Sequence, residues 1–275
     1  MPFEAYKIYE EYEPDKFKTT TQKKVEQALD TAKKEGLIPE TKEVNIEFNE
    51  AKEIFGKDFL GPEAIQTTFG VELTPDELQE IESIPFTREE LEQAKQLGMM
   101  LVLRVPRIGE GKEIKPLTID QIREKFSGGD TLGDPKKKKK KMFYRQKGDG
   151  WYDSEKFATQ DTPKLGWGLV VKSVLPDSLG KNWEQQEEVL KNWAKQNKID
   201  PTLVRRRTPV EIAYDTFLYY GENKETLLED KWDWSSVQSS DGRFVDVGRF
   251  ASVGLYVSGD ARDSTTSDLG VCPAR

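Results

Sequence analysis

The sequence changes character near Trp232, and this change constrains the fold more than any other feature of the chain. Upstream, Lys, Glu and Gln fill amphipathic segments with helical periodicity, whereas residues 239–275 contain none of these three types. The last part instead carries short alternating stretches such as RFVDV and GLYVS, separated by Gly, Ser and Asp. Alternation with period two is typical of strands buried on one side, and Gly, Ser and Asp favour turns. The chain is therefore predicted to be an α+β protein in which helices precede a sheet of short strands.

The N-terminal segments are predicted to be mostly helical. FKTTTQKKVEQALDTAKKEG, residues 17–36, has a Thr cap, apolar residues at helical spacing and a Gly stop. VNIEFN, residues 44–49, alternates like a short strand, and NEAKEIFG after it is typical of a helical turn ending at Gly56. GPEAIQTTFG and TPDELQEIES each place Pro at a position that opens helices.

A mostly helical accessory segment is therefore predicted for residues 1–83, followed by the main domain at residues 84–275. In that domain, Thr87 and Glu90 have the spacing of a capping box. The apolar run after this helix, residues 99–105, predicts a buried strand.

Later segments predict a central strand and the longest helices. LGWGLVVKSVLP, residues 165–176, is rich in β-branched residues between Gly and Pro and predicts a strand near the centre of a sheet. PLTIDQIREKF, residues 116–126, predicts a capped helix. NWEQQEEVLKNWAKQ places its two tryptophans at helical spacing, which favours core positions. RTPVEIAYDTFLYYG opens with Pro and carries one apolar face up to Gly221.

The composition argues against several classes of function. The chain has no His and one cysteine, Cys272, so it lacks a His base, a Cys pair and a Cys-rich metal site. A net charge of −8 argues against broad nucleic-acid binding, which needs a basic face. The run Lys136–Lys141 is interpreted as a solvated connection. No apolar run approaches the length of a membrane span, so membrane insertion is not expected. No secretory signal is visible, so export by the usual route is not expected either.

Two classes of position alternate in the C-terminal part. Apolar residues at strand spacing, with bulges expected at Gly248 and Gly254, are predicted to point into the core. They are Val245, Val247, Phe250, Leu255, Val257, Leu269 and Val271. The residues between them follow no pattern that packing requires, so they are interpreted as surface filler or as a binding face. They are Asp246, Arg249, Val253, Tyr256, Ser258, Gly259, Asp260, Ala261, Ser264, Thr265, Thr266 and Ser267.

The last 44 residues, WDWSSVQSSDGRFVDVGRFASVGLYVSGDARDSTTSDLGVCPAR, closely resemble the variable region of the target proteins of diversity-generating retroelements. Four upstream segments resemble the framework of the same family: FGKDFLGPEAI, IPFTREELEQAKQLGMMLVLRV, TPKLGWGLVVKSVLP and RTPVEIAYDTFLYY. The resemblance thus extends from about Phe55 onward. It implies a C-type lectin-like fold of short antiparallel strands with two main helices, and a binding role that needs no catalysis.

The resemblance also implies a source for the unusual composition. In that family a reverse transcriptase copies a template with errors at adenines, so Asn codons can become many residue types but never Lys, Glu, Gln, Met or Trp. All five are absent from residues 239–275, where ordinary composition would place about eleven Lys, Glu and Gln residues. The implied diversified region is 237–268, and the mixed positions named above are its expected ligand-binding residues. Secondary candidates are Val237, Ala251, Arg262, Asp263 and Asp268.

Three other functions remain open at this point. An enzyme is one, because RTPVEIAYDTF also resembles the R-x-P-x-E motif of formylglycine-generating enzymes, although that chemistry uses a cysteine pair. A calcium lectin is another, with oxygen ligands from Asp260, Asp263 and Asp268. A structural component of a virion or cell surface is the third.

The preferred hypothesis is a non-catalytic protein that binds variable proteins or surface glycoconjugates, without metal or cofactor. A cytoplasmic location is the default, with display on a cell surface or a virion left open. The sequence does not specify an oligomeric state.

Overall fold

The computed structural model describes residues 46–132 and 141–275. The helix predicted at residues 17–36 and the lysines 136–140 lie outside the described residues. The described part is a mixed α+β structure, as the sequence predicts. Its α-helices are α1 (Phe48–Phe55), α2 (Pro62–Phe69), α3 (Pro75–Ile81), α4 (Arg88–Gln96), α5 (Ile119–Lys125), α6 (Lys156–Thr159), α7 (Trp183–Gln196) and α8 (Pro209–Asn223). Its strands are β1 (Phe59–Leu60), β2 (Met99–Arg104), β3 (Arg107–Ile108), β4 (Lys115–Pro116), β5 (Gly166–Val171), β6 (Trp232–Gln238), β7 (Phe244–Ala251), β8 (Gly254–Asp260) and β9 (Leu269–Gly270).

Several helices begin at the capping signals in the sequence. Thr74, Thr87, Asn182 and Thr208 each accept a bond from the backbone N–H three residues later, whose Glu or Gln side chain bonds back. A capping box of this kind satisfies two backbone donors that the helix itself leaves open. The box predicted at Thr87 is thereby confirmed.

One three-stranded sheet has the order β1-β2-β5, with β1 parallel and β5 antiparallel to β2. All six residues of β2 are buried. The other edge of β5 is also paired, because Leu169 and Arg275 exchange backbone hydrogen bonds of 3.0 and 2.8 Å. Strand β5 therefore bonds on both sides, which agrees with the predicted central position.

Helix α8 lies at the centre of the described structure. The sequence predicts one apolar face, but 13 of its 15 residues are buried. Aromatic side chains from several elements surround it: Phe69 stacks on Tyr214 at 4.7 Å, and Phe126 stacks on Phe217 at 4.9 Å. The helix also continues past the predicted stop at Gly221, and it ends where Lys224 adopts a left-handed conformation. Because α8 is packed on nearly every side, it contacts both large sheets.

The second large sheet has the order β8-β7-β6-β9, with antiparallel pairs except for the parallel pair β6-β9. All seven residues predicted to point inward are buried, which confirms the alternation. The chain shifts register after Gly248, where a bulge was expected. No bulge forms at Gly254, which pairs with Ala251 and begins β8 directly after the turn of residues 252–253, with φ of 92°.

The strand predicted at residues 44–49 is wrong. Ile46 forms only an isolated bridge with Ile84, and α1 begins at Phe48. The helical spacing of Ala51 and Phe55 buries both side chains against α4 and β2, so packing favours a helix here.

The predicted boundary between residues 83 and 84 does not separate two bodies. The described residues on both sides of this boundary, 46–132 and 141–275, belong to one compact unit. Strand β1 is only two residues long and pairs with β2 inside this unit, while α2 packs on α8. Among the described residues, no helix is long and apolar enough to cross a membrane.

Candidate functional site

The candidate site is the side of β6, β7 and β8 that is turned away from α8, together with the loop 261–268. We call this surface the outer face. Eleven of the twelve sequence-predicted positions are exposed or half-buried, and all five secondary positions are as well. The strands bring separate parts of the sequence together, since Asp246 lies directly opposite Ser258. The structure thus collects most of the predicted positions on two neighbouring strands and one loop.

The loop 261–268 is held by its backbone. Framework N–H groups of Trp183, Gly180 and Trp232 donate to the carbonyls of Arg262, Thr266 and Asp268 at 3.1, 3.1 and 2.8 Å. Within the described part of the chain, the side chains of residues 265–267 make no hydrogen bond. Backbone bonds do not depend on side-chain identity, so the loop can keep its path while its side chains change.

Gly259 differs from its neighbours in orientation. A Cβ built at this position would lie 3.5 Å from Trp151 and 3.4 Å from the Cβ of Arg243, on the side of β8 opposite Ser258. These distances leave room for a small side chain with slight adjustment. Gly259 therefore borders the outer face rather than belonging to it.

Asp246 is predicted to be exposed, and the structure contradicts this. Its strand lies between β6 and β8, so Trp234 and Ser258 flank it on both sides, and it is completely buried. Neither carboxylate oxygen has a hydrogen-bond partner among the described residues, and the same holds for the indole nitrogen of Trp234. Burial raises the pKa of Asp246 well above its ordinary value, and the charge of Asp260 raises it further.

Asp246→Asn is expected to stabilise the protein near neutral pH. A buried, unpaired carboxylate costs on the order of 1–3 kcal/mol, and the amide removes its charge. Because the folded-state pKa is raised, this cost is fully present above that pKa and decreases as the pH falls towards the ordinary value. Melting temperatures measured across pH should show that Asp246→Asn melts above the wild type near neutral pH and that this difference becomes smaller as the pH falls. Asp263→Asn on the exposed loop serves as the control, and a lower melting temperature for Asp246→Asn would contradict the assignment.

Arg249 occupies a strained backbone position. Its φ is 50°, in the left-handed region, at the bulge where β7 leaves the register of β8. The bulge turns the backbone towards the preceding loop, so that Arg249 donates to the carbonyl of Lys231 at 2.9 Å and Phe250 to that of Leu228 at 3.0 Å. Asn tolerates this conformation better than other residues with a side chain.

Arg249→Asn is therefore expected to raise the free energy of unfolding by about 0.5–1 kcal/mol. The ion pair with Asp268, at 4.0 Å, is exposed and its loss should cost little. Chemical denaturation measures the change. Arg145→Asn, at an exposed arginine outside the left-handed region, should give no such gain, and equal effects at both positions would refute the strain argument.

A buried charge network beneath the outer face joins the sheet to α8. Asp233 of β6 accepts bonds of 3.1 and 2.8 Å from Arg207, and one of 2.8 Å from the backbone of Cys272. Arg207 also donates to Asp215 at 2.9 Å, and Asp215 accepts two bonds from Arg104 at 2.9 and 2.6 Å. Although burial opposes it, the charges of Asp233 and Asp215 raise the pKa of Arg207. Sequence reasoning missed this network, and three consecutive arginines before a helix were its only signal.

The R-x-P-x-E segment ends in Glu211, whose side chain is bound on several sides. Glu211 accepts two bonds of 2.7 Å from Arg205 and one of 2.8 Å from the backbone of Thr208. Burial opposes ionisation, but these bonds and the charge of Arg104 lower the pKa of Glu211 to about 2. A carboxylate with this pKa stays ionised near neutral pH and is poorly suited to donate a proton there.

Trp183 borders the outer face, although its helical spacing favours the core. It is half-buried, stacks on Phe244 at 4.8 Å and lies under the guanidinium groups of Arg206 and Arg262 at 4.6 and 5.6 Å. It also lines an open cleft of about 670 Å³ together with Glu211.

The aspartates considered as calcium ligands do not form a cluster. Asp260 accepts a bond of 2.9 Å from Ser264, Asp268 lies near Arg249, and Asp263 is exposed. In residues 46–132 and 141–275, no group of three or more His, Cys, Asp and Glu side chains could hold a metal ion.

Comparisons with family models, with curated proteins and with solved structures gave no match for this chain. The geometry of the outer face is therefore the basis for the functional assignment.

Proposed function

We propose that this protein is a non-catalytic binding protein with a C-type lectin-like fold, and that a retroelement diversifies its outer face by adenine-directed mutagenesis. Its ligands are variable proteins or surface glycoconjugates. The antiparallel strands β6 to β8 and the two long helices α7 and α8 are compatible with this fold.

The observation that carries the proposal is the separation between scaffold and surface within one short region. Seven inward positions are completely or nearly buried, while eleven of the twelve mixed positions are accessible. Substitutions at exposed positions usually change stability by less than about 0.5 kcal/mol. A surface of this kind can change its ligand without losing its fold.

The local environments of two positions give a second, independent reason for the proposal. The left-handed conformation of Arg249 favours Asn over Arg, and a neutral side chain suits the buried site of Asp246 better than a carboxylate. Asn is the residue that an unmutated template codon would encode at both positions. Residues that fit their sites worse than Asn are expected where mutagenesis supplies the side chain and selection acts on binding.

The composition of this surface also suits recognition. Tyr256 offers a rigid amphipathic side chain, and the Ser, Gly and Asp residues near it supply adaptable hydrogen bonds. By contrast, the ionised state of Glu211 gives no proton donor for catalysis near neutral pH.

Sequencing the DNA next to the gene tests this function. The expected result is a near copy of the final coding segment whose mismatches fall at adenines and map to the positions of the outer face, with a reverse transcriptase gene nearby. Mismatches that map equally to Val245, Val247 and Phe250 would contradict the division between scaffold and surface. If no copy is found, the absence of Lys, Glu and Gln reflects the chemistry of loops and strands alone.

A further inference from the structure

The chain that follows the lysine run is fixed at the edge of the outer face. The backbone N–H of Leu255 donates to the carbonyl of Met142 at 2.9 Å, and that of Tyr144 donates to the carbonyl of Leu255 at 2.9 Å. Gly254 makes this approach possible, because a Cβ there would lie 2.6 Å from the backbone of Phe143. Residues 142–144 therefore extend the sheet beyond β8.

This attachment places an aromatic side chain of the framework against a position of the outer face. The rings of Tyr144 and Tyr256 stack at 3.9 Å with an interplanar angle of 14°, and Trp232 meets Tyr256 edge-on at 5.7 Å. Tyr144 retains 38% of its surface exposed. A ligand that touches Tyr256 therefore lies next to Tyr144.

Two cations accompany Tyr144. The amino group of Lys141 and the guanidinium of Arg145 each lie 5.5 Å from the centre of its ring. Both side chains belong to exposed residues, and neither forms an ion pair within residues 46–132 and 141–275. Burial and the neighbouring Tyr144 raise the pKa of Tyr256, and the charges of Arg249 and Arg145 oppose this rise, so a third cation acts near the same ring. Arg249 also forms an exposed ion pair with Asp268 at 4.0 Å. The protein as a whole has a net charge of −8, so this local excess of positive charge stands out.

On the basis of the proposed function, we infer that Lys141, Tyr144 and Arg145 form a constant part of the ligand-binding surface and select acidic segments of protein ligands. Together with Tyr256 and Arg249 they make up what we call the basic-aromatic patch. Exposed guanidinium and ammonium groups bind carboxylates through charge-assisted hydrogen bonds, and the phenol hydroxyls add further donors. The diversified positions then refine recognition beside a fixed preference for negative charge.

The geometry favours an acidic peptide over a sugar as the occupant of this patch. Stacking on a pyranose needs an uncovered aromatic face. Tyr144 and Tyr256 cover one face of each other at 3.9 Å, Trp232 meets Tyr256 edge-on, and the cations of Lys141 and Arg145 lie beside the Tyr144 ring. The groups that remain available to a partner are mainly charges and hydroxyls. Complementary charge at the rim of an interface chiefly affects specificity and association rate.

Fluorescently labelled poly-L-glutamate is the probe, titrated with the full chain and followed by anisotropy at two salt concentrations. The test variant is Lys141→Gln/Arg145→Gln, and the charge-matched control is Lys191→Gln/Lys195→Gln on the exposed side of α7. Both variants keep lysines 136–140, so the difference between them reports the patch. The loss of two exposed charge contacts should weaken binding about fivefold, and the control should stay near wild type.

Equal weakening in the two double variants would overturn the inference, since it would show a response to net charge alone. It would also be overturned if the wild type bound heparin but not poly-L-glutamate, or bound neither. If the DNA next to the gene contained no template copy, the proposed function would be refuted, but the result of this titration would stay the same. Conversely, equal binding by the two double variants would refute the role of the basic-aromatic patch. It would not contradict the diversification of the outer face.

Discussion

Asp215→Asn is expected to lower the free energy of unfolding by about 3–5 kcal/mol, because it breaks a buried charge network by removing one partner. Asp215 is completely buried and bridges Arg104 and Arg207 with bonds of 2.6–2.9 Å. The amide has a similar shape but no charge, so two buried guanidinium groups lose their shared counter-ion. Burial of an uncompensated charge is among the costliest changes in a protein interior.

Urea denaturation of both proteins measures this effect. Asp177→Asn, at an exposed aspartate, changes the same chemical group and should leave the midpoint nearly unchanged. A loss below about 1 kcal/mol for Asp215→Asn would mean that the network contributes little to the link between α8 and the sheet.

Phe250→Ala is expected to cost about 3–5 kcal/mol, because it empties an inward position of β7. Phe250 is completely buried and contacts Phe217 and Tyr220 of α8, each with ring centres at 5.5 Å. This ring fills the space between the sheet and the helix, and backbone rearrangement cannot close the resulting cavity.

The matched variant replaces Thr265, Thr266 and Ser267 together by Asn. All three residues are exposed, and the backbone holds their loop, so the triple change should leave the denaturation midpoint close to that of wild type. A comparable loss of unfolding free energy in both variants would show that the exposed positions also contribute to the stability of the fold. Diversification at the outer face would then be costly, and the proposed function would lose its main support.

Local patterns in the sequence were sufficient where a structure depends on near neighbours. The capping box at Thr87 and the helix that opens at Pro209 were predicted because their signals lie within a few residues. The alternation in β7 and β8 was also predictable, since successive side chains of any strand point to opposite sides. Of the accessible positions, Tyr256, Ser258 and Asp260 follow from this rule, whereas Ala261 and residues 264–267 lie in a loop, where strand alternation does not apply.

Residues far apart in the sequence decided the rest. The segment at residues 44–49 alternates like a strand, yet contacts of α1 with α4 and β2 favour a helix. Tyr144 carries no local signal for binding, because its place beside Tyr256 depends on the pairing of residues 142–144 with Leu255.

The sequence by itself determined which residues of the C-terminal sheet face inward, where the helices begin, and that His and Cys chemistry is scarce. Only the tertiary structure decided that Asp246 is buried without a partner, that Arg207 links Asp215 to Asp233, and which charges border the outer face. The physical reason is that periodicity and capping act over a few residues of chain. Burial and charge pairing depend instead on which strand or helix lies alongside, and that is settled by packing.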